Sequence, residues 1–167
     1  MTDRRETEAR LEEKFWDEIK DSPFMMVGLQ GVDDDFTRPM TAQVDKGRIY
    51  FFAARSEDLF KNLDRSRRAI ATYAAKGHKL FASIHGSLVE DMDRGVIDRV
   101  WNPIVASWYK DGKDDPDLVL LRFDADKADV WEAHTGSTLK AAALKMLFNI
   151  DPGKEHQKGH RAEVELT

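Results

Sequence analysis

The sequence predicts a single, mainly β domain with flanking helices. Short apolar segments recur between turn residues, and several alternate apolar and polar side chains in the way that half-buried strands do. Helical spacing is limited to the N-terminus, the stretch after Asp93 and residues 138–148. The chain has 167 residues, close to the size of one domain, and contains no repeat or linker that would divide it. We therefore expect residues 1–167 to form one domain.

The first half of the chain is predicted to be an entry helix followed by a strand meander. Leu11, Phe15 and Ile19 recur every four residues among charges, which predicts an amphipathic helix within residues 1–22. Residues 56–58 offer an N-cap and early acids to a second, short helix. The strands of this half are predicted at 24–29, 37–44, 49–54, 68–75 and 80–89, with turns at 31–35, 45–48 and 76–79.

The second half is predicted to add two helices and further strands. Helical spacing begins at Asp93, and Asn102 is the expected cap of a following helix that has Pro103 in its first turn. The remaining predicted elements are strands at 118–123 and 130–133 joined around 124–129, a helix at 138–148 within the C-terminal segment 138–167, and a last strand at 162–166.

Composition excludes several classes of protein. The net charge of −5 and the absence of a basic stripe argue against a nucleic-acid partner. The chain has no cysteine, so disulfides, iron–sulfur clusters and thiol catalysis are excluded. The N-terminus is charged and no apolar run approaches the roughly 20 residues that span a bilayer. We expect a cytoplasmic protein that does not bind a membrane.

Most familiar site motifs are missing or unsupported. The sequence contains neither a glycine-rich dinucleotide loop nor a Walker loop. His156 and His160 have the spacing of a helical metal pair but lie in a polar tail, and Ser83 and His85 lack the further parts of a hydrolase triad. The aspartates at 33–35 are best interpreted as a turn. No metal site is predicted.

One hairpin, residues 36–55, carries the residues of a different kind of site. Pro39 cannot donate a ladder hydrogen bond, so it marks a strand edge or bulge and leaves the backbone of Met40 and Thr41 free. Arg55 and Ser56 stand where a strand ends and a helix begins, a position at which main-chain N–H groups and a guanidinium can hold a phosphate. From spacing alone, an ordinary surface arginine before a helix is the favoured interpretation of the pattern.

From about residue 24 to 132 the chain resembles the pyridoxamine 5′-phosphate oxidase-like superfamily and, within it, the general stress protein branch of FMN-binding split barrels. The resemblance implies a six-stranded split β-barrel with flanking helices. It also implies a homodimer with two FMN molecules bound in clefts at the subunit interface. Four stretches carry it: 38–40, 49–54, 85–91, and the tryptophan-containing stretch 101–117 with Val130 and Trp131.

The resemblance also assigns cofactor-binding positions. Arg38 matches the arginine that begins the flavin strand in this family, and Trp131 matches a tryptophan that reaches the flavin from the partner subunit. Trp101 and Trp108 look like helix-packing residues. The positions expected to bind FMN are Arg38, Pro39, Met40, Thr41, Gln43, Phe52, Ala53, Ala54, Arg55, Ser56 and Trp131.

Two departures from the family pattern bear on function. The family's phosphate loop commonly carries Ser and Lys or Arg where this chain has Glu57-Asp58-Leu59, and two acids there would repel a phosphate dianion. Arg55, Ser56 and Lys61 are the candidates to replace the missing cation. The Arg-x-His substrate signature of the true oxidases is absent around residues 136–138. We do not expect oxidation of pyridoxamine 5′-phosphate.

The leading hypothesis is an FMN-binding general stress protein that can act as an oxidoreductase through hydride transfer at flavin N5, with a nicotinamide donor. No side chain is an evident acid or base, so its catalytic residues are not predicted. The alternative is a non-enzymatic split-barrel module for binding or stress interaction, in which flavin binding is weakened or lost. A third hypothesis replaces FMN by a deazaflavin or by a haem. A haem would need an axial ligand, and His78 and His85 are the candidates.

Overall fold

The structure is a computed structural model that describes residues 4–32, 37–133 and, by their backbone, 161–164. Within these residues, no helix is long and apolar enough to cross a membrane. The helices are α1 (Arg4–Asp21), α2 (Asp58–Lys61), α3 (Arg94–Val100) and α4 (Pro103–Trp108), with a 3-10 turn at Gly112–Asp114. The strands are β1 (Phe24–Leu29), β2 (Arg38–Thr41), β3 (Gln43–Asp45), β4 (Arg48–Ala54), β5 (Ser66–Ala74), β6 (Leu80–Glu90), β7 (Leu118–Glu132) and β8 (Arg161–Val164).

The strands form one antiparallel sheet that closes on itself. Its order is β2-β1-β5-β6-β7-β4-β3, and β8 pairs with the second half of β7. Because β2 and β3 are separated by Ala42 alone, they act as one strand that pairs with β1 at its start and with β4 at its end. Counted in this way, six strands close the barrel, and the predicted split-barrel fold is confirmed.

Two apolar clusters hold the barrel together. The larger fills its interior, where Phe51, Leu121 and Ile84 are fully buried, and α1 and α2 contribute Phe15 and Leu59 from opposite ends. The second lies outside the barrel, between β4 and β7 on one side and α3 and α4 on the other. Both faces of β4 are therefore buried, which explains why its sequence is a continuous apolar run rather than an alternating one.

The local signals in the sequence give correct elements. The predicted helix over residues 1–22 is α1, with Leu11, Phe15 and Ile19 buried. The turn at 45–48 has Lys46 and Gly47 at φ of 50° and 72°, as a two-residue hairpin turn requires. The Asn102 carboxamide oxygen accepts hydrogen bonds from two N–H groups of α4, at 3.0 and 3.1 Å. Glu57 is the N-cap residue of α2, and its side chain makes no capping hydrogen bond.

The prediction of two strands at 118–123 and 130–133 is wrong, because β7 runs unbroken through the polar residues between them. Those residues stay paired with β6 through a β-bulge, at which Gly86 pairs with Ala125 and His85 with Lys127. Asp126 is the extra residue of the bulge, and its carboxylate accepts a hydrogen bond from the Arg68 guanidinium.

Several predictions lie outside the described residues. The helix at 138–148 and the histidines at 156 and 160 are among them, as is the turn around the aspartates at 33–35. The last strand, predicted at 162–166, is described over Arg161–Val164, where it pairs with β7.

Substitution of Gly86 tests whether the β-bulge depends on the absence of a side chain at this position. A Cβ atom added there would lie 2.3 Å from the Asp124 carbonyl oxygen, a contact that only movement of the backbone could relieve. We expect Gly86→Ala to lower the free energy of unfolding by about 2–3 kcal/mol, measured by urea denaturation. Ser66→Ala, at the exposed start of the neighbouring strand β5, is the control and should change it by less than about 0.5 kcal/mol. Equal stability of the two variants would show that the bulge does not depend on this glycine.

Candidate functional site

Several of the predicted site residues converge at the end of the barrel that α2 covers. Gln43 pairs with Tyr50, and from there the chain runs backward through Ala42 and β2 while β4 runs forward to Ala54. The start of β2 and the end of β4 therefore lie at the same end of the barrel. Arg38 and Arg55, seventeen residues apart in the sequence, are brought to one region by this hairpin.

Strand β2 provides a polar edge. It pairs with β1 on one side, and no described strand pairs with its other side. Pro39 lies opposite Met26 and is exposed, whereas Met40 is buried in the barrel core with 9% of its surface accessible. Arg38, at the start of the strand, buries its Nε atom without a hydrogen-bond partner. A buried guanidinium nitrogen that lacks a partner is costly, and a ligand at this edge could satisfy it.

The end of β4 is held rigidly from outside the barrel. The Phe52 ring packs edge-on against Trp101, with a centroid distance of 5.8 Å, and lies 6.3 Å from the ring of Tyr109. The Tyr109 hydroxyl donates a 2.8 Å hydrogen bond to the Ala53 carbonyl, and burial raises the pKa of this hydroxyl well above its ordinary value. Phe52 and Ala53 thus fix the position of the strand, and their side chains are buried within the protein.

The Arg55 guanidinium already has protein partners. Its Nη2 lies 2.9 Å from a carboxylate oxygen of Glu90, and its Cζ lies 5.1 Å from the centroid of the Phe60 ring. The pair is partly exposed, so its net contribution to stability is small, but the side chain is oriented by both contacts.

Ser56 is also engaged, in this case by Asp117 in the turn before β7. The Asp117 carboxylate accepts hydrogen bonds from the Ser56 backbone N–H at 3.0 Å and from its hydroxyl at 3.1 Å. The Arg55 N–H donates to the Asp117 carbonyl at 2.8 Å. Asp115, two residues earlier, accepts from the N–H groups of Asp111 and Asp117, and these bonds hold the pKa of its carboxyl below the usual range.

The other predicted positions are spread more widely. Gln43 lies beside Asn102, whose Nδ2 donates to its side-chain oxygen at 3.4 Å. Trp131 pairs with Phe81 toward the opposite end of the barrel, so a single chain does not bring it to the β2–β4 region. Trp101 is partly buried in the outer cluster, as predicted for a packing residue. For Trp108 the packing prediction is wrong, because the side chain is 51% exposed on the free face of α4.

Sequence reasoning missed Glu90 and Asp117. They lie 35 and 61 residues from their partners Arg55 and Ser56. Both fall within stretches that carry the family resemblance, 85–91 and 101–117, but no site role was predicted for them. Only the pairing of β4 with β7, and the approach of the end of β6, brings them to the loop.

The single antiparallel sheet and its strand order define a split barrel. The chain belongs to the pyridoxamine 5′-phosphate oxidase-like family, whose model matches residues 11–154. No curated protein matches the chain.

Solved structures of general stress proteins are similar to it over most of its length. The general stress FMN/FAD binding protein of Xanthomonas citri is 48% identical, with a TM-score of 0.72 over 77% of this chain and 92% of that one. A general stress family protein of Xanthomonas campestris pv. campestris is also 48% identical, with a TM-score of 0.73 over 81% and 93%. A structure from Jannaschia, described as general stress protein 26, is 28% identical, with a TM-score of 0.72 over 95% and 99%.

Tyr109→Phe tests how firmly the end of β4 is held. Loss of the hydroxyl leaves the buried Ala53 carbonyl without this donor, and we expect the free energy of unfolding at pH 7 to fall by about 1–2 kcal/mol in urea denaturation.

The same variant has a pH signature. The raised pKa of Tyr109 means that the unfolded chain, with a tyrosine pKa near 10.0, loses this proton before the folded one does. The stabilisation is thus complete below about pH 10 and is lost as the pH rises further. The wild-type protein should lose stability more steeply above pH 10 than Tyr109→Phe, and equal slopes would contradict the assignment.

Proposed function

We propose that the protein is a flavin-binding general stress protein that holds FMN along β2, β3 and the end of β4. The observation that supports this most directly is the buried Nε of Arg38, which has no protein partner and lies beside the unpaired edge of β2. Strand edges can supply backbone donors and acceptors to the carbonyl and nitrogen edge of a flavin ring, and Pro39 keeps this edge from pairing with another strand. The residues at the free edge of β2, which we expect to contact the flavin ring, therefore fit the cofactor.

The comparisons support the same class of ligand. The Xanthomonas citri protein, at 48% identity, is described as binding FMN and FAD. Identity at this level over most of both chains makes the shared fold a good guide to the shared cofactor. We extend flavin binding to this protein on that basis, with FMN as the form proposed from the sequence.

As an enzyme, the protein would be an oxidoreductase that takes electrons from a nicotinamide donor. When bound, the flavin supplies the chemistry, accepting a hydride at N5. The protein residues would bind and orient: Arg38 donates to the ligand, and the packed end of β4 fixes the wall beside it. The Glu90 and Asp117 carboxylates at this end are bonded to Arg55 and Ser56, and no residue is assigned as a catalytic acid or base.

Flavin binding itself is the first experiment. The purified protein is examined for a flavin spectrum, and the apo-protein is titrated with riboflavin, FMN and FAD while flavin fluorescence is followed. Saturable binding of about one flavin per chain supports the proposal. If no flavin binds at about 100 μM, which corresponds to roughly −5.5 kcal/mol, the flavoprotein proposal fails. The engaged partners of Arg55 and Ser56 would then favour the alternative, a non-enzymatic interaction module.

Arg38→Met removes the proposed donor while keeping a side chain of similar length. Because a hydrogen bond from a charged group is worth about 1.5–3 kcal/mol, we expect riboflavin and FMN affinities each to fall by about tenfold or more. Arg48→Met, in the exposed turn at the other end of the barrel, is the control and should bind flavin as the wild type does. Unchanged flavin affinity in Arg38→Met would remove this arginine from the site.

We also propose that the protein is a homodimer with its flavin sites at the subunit interface. The outward face of β1 exposes Phe24 at 64% and Met26 at 39%, large fractions for apolar side chains on a sheet. On the same face of the sheet, Met26 in β1 lies opposite Thr72 in β5, and Thr72 lies opposite Ser83 in β6. A second copy packed on this face would bury these side chains, and would bring a partner's Trp131 toward a site that its own chain does not reach.

Charge placed on this face should disrupt the dimer. We expect the wild type to sediment at about twice the 19.1 kDa chain mass. Ile70 lies two residues before Thr72 in β5 and so on the same face, and Met26→Lys/Ile70→Lys should sediment as a monomer. Flavin affinity in the double variant should fall by at least about tenfold, because each site would lose its second wall. Ile104 lies on a separate surface, that of α4, and is 67% exposed. The control variant Ile104→Lys should therefore remain a dimer. A dimeric double variant would place the interface elsewhere.

A further inference from the structure

The loop that follows β4 is the place where this fold would receive a terminal phosphate, and in this protein its donors are already used. The Ser56 N–H and hydroxyl, the pair of donors that a phosphate oxygen would take, are both bonded to the Asp117 carboxylate at 3.0 and 3.1 Å. An internal carboxylate thus occupies the anion position of the loop.

Arg55, the cation at the start of the loop, also has partners within the protein. Arg55 directs its guanidinium to Glu90 at 2.9 Å and lies over the Phe60 ring. Lys61, on α2, is 4.0 Å from the Asp58 carboxylate. Arg55 would have to leave Glu90 to bind a ligand, whereas Lys61 is 62% exposed and its pair lies at the limit of ion-pair distance.

The charge balance around the loop is unfavourable for a dianion. Two cations, Arg55 and Lys61, lie among four carboxylates, Glu57, Asp58, Glu90 and Asp117. Arg38 and Arg67, whose buried Nε atoms have no partner, lie near the starts of β2 and β5 rather than on this loop. Glu57 and Asp58 are exposed at the start of α2, where they would face an incoming phosphate. Tight binding of a phosphate dianion needs a surplus of positive charge.

We infer that this site selects its ligand by the ring and the ribityl chain, and that the loop after β4 gives a terminal phosphate almost no affinity. The inference rests on the proposed function, because it concerns the same flavin site. The expected ligands are therefore flavins with or without a terminal phosphate, and riboflavin should bind nearly as tightly as FMN.

The test compares riboflavin and FMN on the same apo-protein by fluorescence quenching at low and high salt. We expect dissociation constants within about threefold of each other, and a ratio that changes less than about twofold between roughly 50 and 500 mM salt. A site that reads the phosphate through cations would instead bind FMN at least about tenfold more tightly, and would lose that preference as salt screens the attraction. That result would overturn the inference while leaving flavin binding intact.

A charge variant provides a second readout. Glu57→Gln/Asp58→Asn removes both exposed acids, and we expect FMN affinity to rise by about three- to tenfold while riboflavin affinity stays the same. Glu13→Gln/Asp17→Asn makes the same charge change on exposed positions of α1, at the other end of the barrel, and should alter neither affinity. An FMN affinity that does not respond to the loop variant would also overturn the inference. Failure of both flavins to bind the wild type would overturn the proposed function, a result distinct from FMN preference.

Discussion

The barrel closes because one interrupted strand pairs with two different neighbours. The residues of β2 pair with β1, those of β3 pair with β4, and Ala42 lies between them. The Ala42 N–H is satisfied outside both ladders, by a 2.7 Å hydrogen bond to the Pro23 carbonyl. Since β2 leaves β4 at this point, one edge of β2 is left without a strand partner. The candidate site lies along this free edge. The change of partners at Ala42 therefore both closes the barrel and leaves the edge of β2 open.

The outer cluster determines how the site is presented. By burying Tyr50 and Phe52 under α3 and α4, it fixes the outer face of β4, while the barrel core fixes the inner face. The loop after β4 therefore leaves the strand in a defined direction, and Asp117 secures it from the turn that precedes β7. Stability and site geometry are coupled here, because the aromatic side chains that stabilise the second cluster also position Arg55 and Ser56.

Local patterns were sufficient to predict most of the elements. The four-residue spacing of α1, the turn at 45–48 and the Asn102 cap depend on residues near one another in sequence, and each is confirmed. The continuity of β7 was not predictable in this way, because the bulge that keeps its polar residues paired depends on Gly86 in another strand. The same limit applies to the site. The hairpin residues were visible in sequence, whereas Glu90 and Asp117 act on residues 35 and 61 positions away.

The placement of these two carboxylates separates two functions that a flavin site can combine. In the proposed site, the ring would be recognised by the free edge of β2 and the rigid end of β4, and neither involves the acids of the loop. Recognition of a phosphate would need cations and N–H donors, and in the loop after β4 those of Arg55 and Ser56 are bonded within the protein. Because a buried or bonded donor must give up its partner before it can bind a ligand, the gain from a phosphate contact is reduced by the loss of the internal one. Under the proposal, the loop after β4 therefore adds little to affinity, and the free edge of β2 with the end of β4 determines which ligands are held.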